Sequence, residues 1–395
     1  MRSGIRSIVM MLAVAAAGMS VGLSALPVSG QEAVAAKAAL PVPAQTKPVV
    51  QIAILLDTSN SMDGLIEQAK TQLWKIVNEF AKAQRGGQRP DIQVALYHYG
   101  TPSLGKETGY IKQLVPLTDD LDKVSEELFK LRTSGGDEYC GAVIKKAAEE
   151  LKWSDDKGAY KAIFIAGNEP FTQGPVNYSE ACKEAVSRGI IVNTIFCGEE
   201  QEGIRTNWKD GAALADGSFV SINQNAAVVH VDAPQDKELV DLGQKINGTY
   251  VRYGAMGSAG AQNQAAQDSN VSGIAGGGGR GATAERAITK SSAAYRNGSW
   301  DLVDGVKQNQ VQLKDVKEED LPEDMRKLDA KGREDYVAQK QKEREEIQAR
   351  IKTLGEEREK FLAEKRKEGG ESTLDTAVVR VVRTQAQANG MTFEK

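Results

Sequence analysis

The chain has 395 residues, 26% of them charged, and a formal net charge of −4. It offers no basic face for nucleic acid, and 6% aromatic residues give no platform for base stacking. Apolar residues make up 41%, enough for a sizeable core, but they are unevenly spread over a length with room for about two domains.

Arg2 and Arg6 precede an uncharged apolar run from Ile8 to Val21, and Val28-Ser29-Gly30 before Gln31 offers small or tolerated residues at a cleavage point. This pattern predicts a signal peptide over residues 1–30 and a periplasmic or secreted protein. An uncleaved anchor is the alternative, because Ile8 to Leu26 approaches the roughly 20 residues that span a bilayer. No Cys comes after the run to take a lipid, and no later stretch is apolar enough to cross a membrane. Residues 31–47, rich in Ala, Pro and Val, read as a disordered leader.

Val49 to Leu56 is a nearly unbroken apolar run, suited to a strand buried on both faces of a parallel sheet. Leu65, Ala69, Leu73, Ile76, Val77 and Phe80 come next at helical spacing within 64–82. Strands are predicted at 92–99, 161–166 and 189–196, with a weaker one at 110–114. Helices are predicted at 120–131, 141–152 and 177–188. Two later stretches, 208–220 and 239–251, each read as a helix, a Gly or Asn-Gly stop and a short strand. The alternation predicts an α/β domain, a doubly wound and mainly parallel sheet, over residues 48–253.

Residues 254–284 collapse to Ala, Gly, Gln and Ser and read as a flexible linker. Residues 285–395 form a charged helical region. Within it 330–368 reads as a long solvated helix or a short coiled coil. Its sparse stripe of Ile347, Ile351, Leu354 and Phe361, interrupted by Gly355 and Arg358, predicts weak self-association or docking onto a partner. Residues 48–253 are expected to fold alone. The apolar patch at 376–384 has no assigned role.

The sharpest motif is Asp57-Thr58-Ser59-Asn60-Ser61, directly after the first strand. It sets one carboxylate and two hydroxyls at the open edge of the sheet, where α/β folds bind ligands. Such oxygens are hard ligands suited to Mg²⁺. Here the chain resembles the von Willebrand factor type A family, through this motif, Gly135-Gly136 and the strand Ile163–Ala166. The resemblance implies a doubly wound sheet, protein or peptide ligands, and a Mg²⁺ or Mn²⁺ site. In the family both serines contact the metal, the aspartate acts through water, and a further hydroxyl and aspartate complete the site. A partner's carboxylate takes the open position. Two positions depart from the pattern. Asp137 stands where the family has threonine, with Glu138 and Tyr139 after it, and Gly167-Asn168-Glu169 stands where it has Asp-Gly. The expected metal set is therefore Asp57, Ser59, Ser61, Asp137 and Glu169. Asp137 either binds directly, making the metal a weaker acceptor for an acidic ligand, or compensates for the aspartate missing near Asn168.

Plainer readings stand beside these. Ser61 could merely cap a helix, and Gly135-Gly136 could be an ordinary turn with Asp137 as the cap. His98 reads as a packed sheet residue. No nucleophile elbow, phosphate loop or paired-His zinc motif is present. Cys140 reads as a structural thiol or a disulfide partner, not a nucleophile; a Cys140–Cys182 disulfide is expected, since their helices share a face of the sheet, with Cys197 free. The sequence thus points to an exported, metal-dependent protein-binding module of adhesion or assembly type, not an enzyme. The alternatives are a metal-independent scaffold and, behind it, a metal-dependent hydrolase.

Overall fold

The computed structural model describes residues 47–225, 231–275, 278–366 and 374–393; the expected signal peptide and the leader up to residue 46 lie outside them. The first half alternates strands and helices: β1 (Val49–Asp57), α1 (Asp63–Ala81), β2 (Ala83–Gln84), β3 (Asp91–Tyr99), β4 (Ile111–Thr118), α2 (Leu121–Lys130), α3 (Cys140–Glu150), β5 (Tyr160–Gly167), α4 (Tyr178–Ser187), β6 (Ile191–Cys197), α5 (Glu200–Arg205), α6 (Trp208–Leu214) and β7 (Phe219–Ile222). The second half is helical: α7 (Asp236–Lys245), α8 (Gly257–Ser272), α9 (Gly278–Ser291), α10 (Leu302–Lys307), α11 (Glu323–Arg326), α12 (Ala330–Arg366) and α13 (Leu374–Ala388), before a short β8 (Thr392–Phe393).

Six strands form one sheet in the order β4-β3-β1-β5-β6-β7, parallel except for the antiparallel β3–β4 pair. β1 lies inside the sheet, which is why its apolar run is nearly continuous. Leu56 faces a core shared with Leu65, Trp74 and Phe80 of α1, while Leu55 faces Ile144 of α3, Phe196 and Trp208. Both faces are covered, so the sheet is doubly wound as expected. The second of the two echoing stretches departs from expectation. After α7 and a 3-10 turn at Ile246–Thr249, the backbone around Val251 joins no sheet and bonds instead to Asp301 and Leu302.

The expected linker is helical. Its described residues include α8 and the first half of α9, helices that pack against α2, α1 and α7. Small residues here allow close approach. A Cβ on Gly243 of α7 would sit 2.8 Å from Ala287 Cβ, and one on Gly260 would sit 2.3 Å from the Trp300 ring. Polar side chains do the rest. Buried Arg286 donates to Asp122 (2.7 Å) and Asp268 (2.5 Å) and lies 4.5 Å from the Trp74 ring centre. Asp122 also accepts from the Tyr295 hydroxyl at 2.6 Å.

The charged helix is docked, not solvated. Ile351 and Leu354 of α12 pack with Leu239 of α7 and Ala284 of α9. The supposed interruptions of its stripe are contacts: Gly355 lies against Ile288, and Arg358 is buried between Asp236 and Glu285. Arg344, about four turns earlier on the same face of α12, donates to Asp301, Asp304 and the Thr249 carbonyl and lies 4.2 Å from the Tyr250 ring centre. The unassigned patch is α13, whose Val378, Val381 and Val382 enter the α1 side of the core. β8 then pairs with β2. Among the described residues, 47–393 form one compact unit, in which the helical half packs against the sheet half.

The expected disulfide is absent. Cys140, Cys182 and Cys197 are free and buried, and Cys140 Sγ lies 3.8 Å from the Tyr99 hydroxyl of β3. Cys140 and Cys182 share one face of the sheet, as the topology required, but Cys140 points down onto β3.

Candidate functional site

Parallel strands β1, β3 and β5 all end on one edge of the sheet, and the loops after them meet there. β1 ends in Asp57, which is 0% exposed. Its Oδ1 accepts from the Ser59 backbone N–H at 2.7 Å, turning the chain so that the Ser59 and Ser61 hydroxyls lie 3.2 Å apart. Ser61 is exposed and donates to Asn168 Oδ1 at 3.3 Å, tying the first loop to the loop after β5. Thr58 faces away, its hydroxyl bonding the Tyr99 carbonyl and standing 3.2 Å from His98 Nδ1. Burial pushes that imidazole down to about 4. It is a neutral sheet residue.

The loop before α3 supplies a different acid from the one expected. Asp137 is exposed, its carboxylate accepting from the Tyr139 hydroxyl at 3.3 Å. Glu138, only 4% exposed, turns inward against Asp57. The glycines explain the inversion. Ser134 N–H bonds the Thr58 carbonyl, and Gly136 fits so closely under Gly100 that a Cβ would sit 2.6 Å from the Gly100 carbonyl. The chain therefore passes the third position on the outside, and its next side chain enters. Gly100 itself has φ +86°, and a Cβ there would meet Asp57 Oδ1 at 2.7 Å and Glu138 Cγ at 2.9 Å. Glu169 is half-buried, with its backbone carbonyl fixed by Trp208 Nε1 at 2.8 Å, and its charge is felt by both inner acids.

The electrostatics are unbalanced. Asp57 Oδ2 and Glu138 Oε2 are buried without a conventional donor. Burial raises both carboxyls above the ordinary range, and for Glu138 the neighbouring Asp57 adds to it. Two carboxyls so placed need either a shared proton or a cation. The donor set, two hydroxyls with orphaned carboxylate oxygens, fits a hard divalent ion. Among the described residues no cluster of three or more His, Cys, Asp or Glu is disposed to hold a metal, so the hydroxyls are essential to that fit.

This pair makes stability depend on pH. The unfolded chain sheds these protons near pH 4, whereas the folded pair retains a proton well above that. Folding is therefore favoured at low pH, and this contribution is lost as the pH rises above about 4. In chelator, Glu138→Gln is expected to flatten the fall in stability between pH 5 and 8, measured by urea unfolding. An unchanged slope would place the acids apart.

The sequence model of the von Willebrand factor type A domain matches residues 51–207. Among solved structures, the chain is similar to BatB, a conserved hypothetical protein from Bacteroides thetaiotaomicron, at 18% identity over 44% of this chain and 90% of that one (TM-score 0.34). It is similar to the SpRpn10 VWA domain at 20% identity, over 44% and 88% (TM-score 0.34). It is also similar to proximal thread matrix protein 1 of the mussel byssus, solved with zinc in its MIDAS motif, at 14% identity (TM-score 0.33); that match covers 44% of this chain and 42% of the mussel chain. No curated protein matches. With its sheet order, its motif at the sheet edge and the match over residues 51–207, the chain carries a von Willebrand factor type A domain.

Proposed function

We propose that this is an exported, cation-dependent binding module that takes a protein or peptide partner at the open edge of its sheet, and that it is not an enzyme. Asp57, Ser59 and Ser61 would hold Mg²⁺ or Mn²⁺, which would supply positive charge and an open position for a partner's oxygen. The observation that carries this reading is the buried, unpartnered Asp57 Oδ2 beside two hydroxyls, one of them at the surface. Export is supported by the signal-like start, and no described helix is long and apolar enough to cross a membrane. Against catalysis, burial pushes the Cys182 thiol up to about 12 and raises the Cys140 and Cys197 thiols as well, which disfavours a thiolate nucleophile among them.

A metal-independent scaffold is favoured by one feature, the Asp57–Glu138 contact, which a single proton also satisfies. Thermal melts separate the two. Mg²⁺ or Mn²⁺ at about 100 times its Kd should stabilise the wild type by about 2.7 kcal/mol, and Asp57→Ala should abolish that gain. No shift in the wild type would leave the scaffold reading. Capture of envelope proteins by the immobilised chain, lost on chelation, would establish the partner's dependence on the ion.

A further inference from the structure

We propose that Glu138 is a fourth in-chain oxygen donor to the cation, so that this site completes itself with its own carboxylate and needs no acid from a partner. This rests on the cation reading above. A carboxylate cluster alone would say little, since acids at loop ends are commonly solvated. Glu138 is not solvated: it is 4% exposed and its Oε2 has no partner. Asp57 Oδ2, at a residue 0% exposed, is orphaned beside it. No lysine, arginine or histidine among the described residues pairs with either acid.

The scaffold holds Glu138 inward. Its backbone N–H is fixed by Gln173 Oε1 at 2.5 Å, from the loop after β5. Gly100 gives up a side chain where the two acids converge, and Gly136 packs on the Gly100 backbone. Asp137, the neighbouring acid, is turned out to Tyr139. Three loops thus combine to bury one particular carboxylate against another, which is costly unless a cation or a shared proton joins them. Two carboxylates would neutralise a divalent ion. The remaining position then suits a neutral oxygen, a carbonyl, hydroxyl or water, and the partner class shifts from acidic to neutral polar.

The test is Mn²⁺ binding to the whole chain, read by electron paramagnetic resonance and calorimetry. Glu138→Gln should weaken binding at least about tenfold, as even outer-shell losses do, while Asp137→Asn leaves it unchanged. Glu138→Met, with no oxygen to offer, should weaken it further. Melts in chelator should show both Glu138 variants folded and no less stable than wild type, since each relieves a buried like-charge pair. Acetate added to the Mn²⁺-loaded wild type should not bind the ion, whereas it should bind in Glu138→Met. If the wild type binds Mn²⁺ and both Glu138 variants bind it equally well, Glu138 is not a ligand although the cation reading stands. If the wild type binds none, the cation reading falls and takes this one with it.

Discussion

Replacing Arg358 by alanine should cost about 3–5 kcal/mol of stability, a large share of the total for a chain held by many small terms. The guanidinium is 4% exposed and donates from Nε to Asp236 and from Nη1 to Glu285, each at 2.6 Å. Glu285 is held below the usual carboxylate range: burial opposes its ionised form, and Arg358 foremost overrides that. Truncation would leave two carboxylates facing each other inside the protein. Arg350, on the same helix, is the control. Its pair with Glu238 is about half exposed on both sides, so Arg350→Ala should cost at most about 1 kcal/mol. Urea unfolding of both variants tests the contrast. Equal losses would mean that α12 is not docked through Arg358.

Ending the chain at Arg366 should abolish cooperative folding. This removes α13 and β8, and with them Val378, Val381, Val382 and Met391, all buried in the α1 side of the core. At about 1.5–3 kcal/mol each, these four account for on the order of 6–12 kcal/mol, an upper figure because unfolded chains are not fully extended. That is comparable with the whole stability of a typical domain, about 5–15 kcal/mol. The loss is also polar. Gln385 accepts from the Tyr160 hydroxyl at 2.7 Å and exchanges bonds with Asn193, both strand residues. The truncated chain should bind a hydrophobic dye and melt without a sharp transition. A sharp, near-native melt would show instead that α13 is dispensable for folding.

Strands β1, β5 and β6 were legible because a doubly covered sheet writes short continuous apolar runs, and β3 was legible from its alternation. The C-terminal half was not. Its core contacts come from Gly, Ala and Gln at close helix crossings and from arginines that neutralise buried acids. Each of those residue types normally signals solvent or flexibility. Arg358 breaks the apolar stripe in the sequence and anchors the helix in space. Likewise Asp57, Ser59 and Ser61 could be placed by motif, because the end of a buried strand fixes where its loop begins. The choice between Asp137 and Glu138 could not, since it turns on how two glycines distant in the chain, Gly100 and Gly136, nest against each other. The one available hint was that adjacent residues of an extended loop point to opposite sides, so that only one of Asp137 and Glu138 can enter.

The pairing of the last helix with the first has a kinetic meaning. Gln385 meets Tyr160 across 225 residues, and Arg383 meets Glu79 across 304. Contacts so remote in sequence slow folding. At a synthesis rate of about 5–20 residues per second, the interval between the emergence of Tyr160 and of Gln385 is on the order of ten to forty seconds. For that time the α1 side of the sheet lacks the part of its cover that α13 supplies, and the apolar surface that Val378, Val381 and Val382 would bury stays open. That patch is therefore expected to close only once α13 has been made.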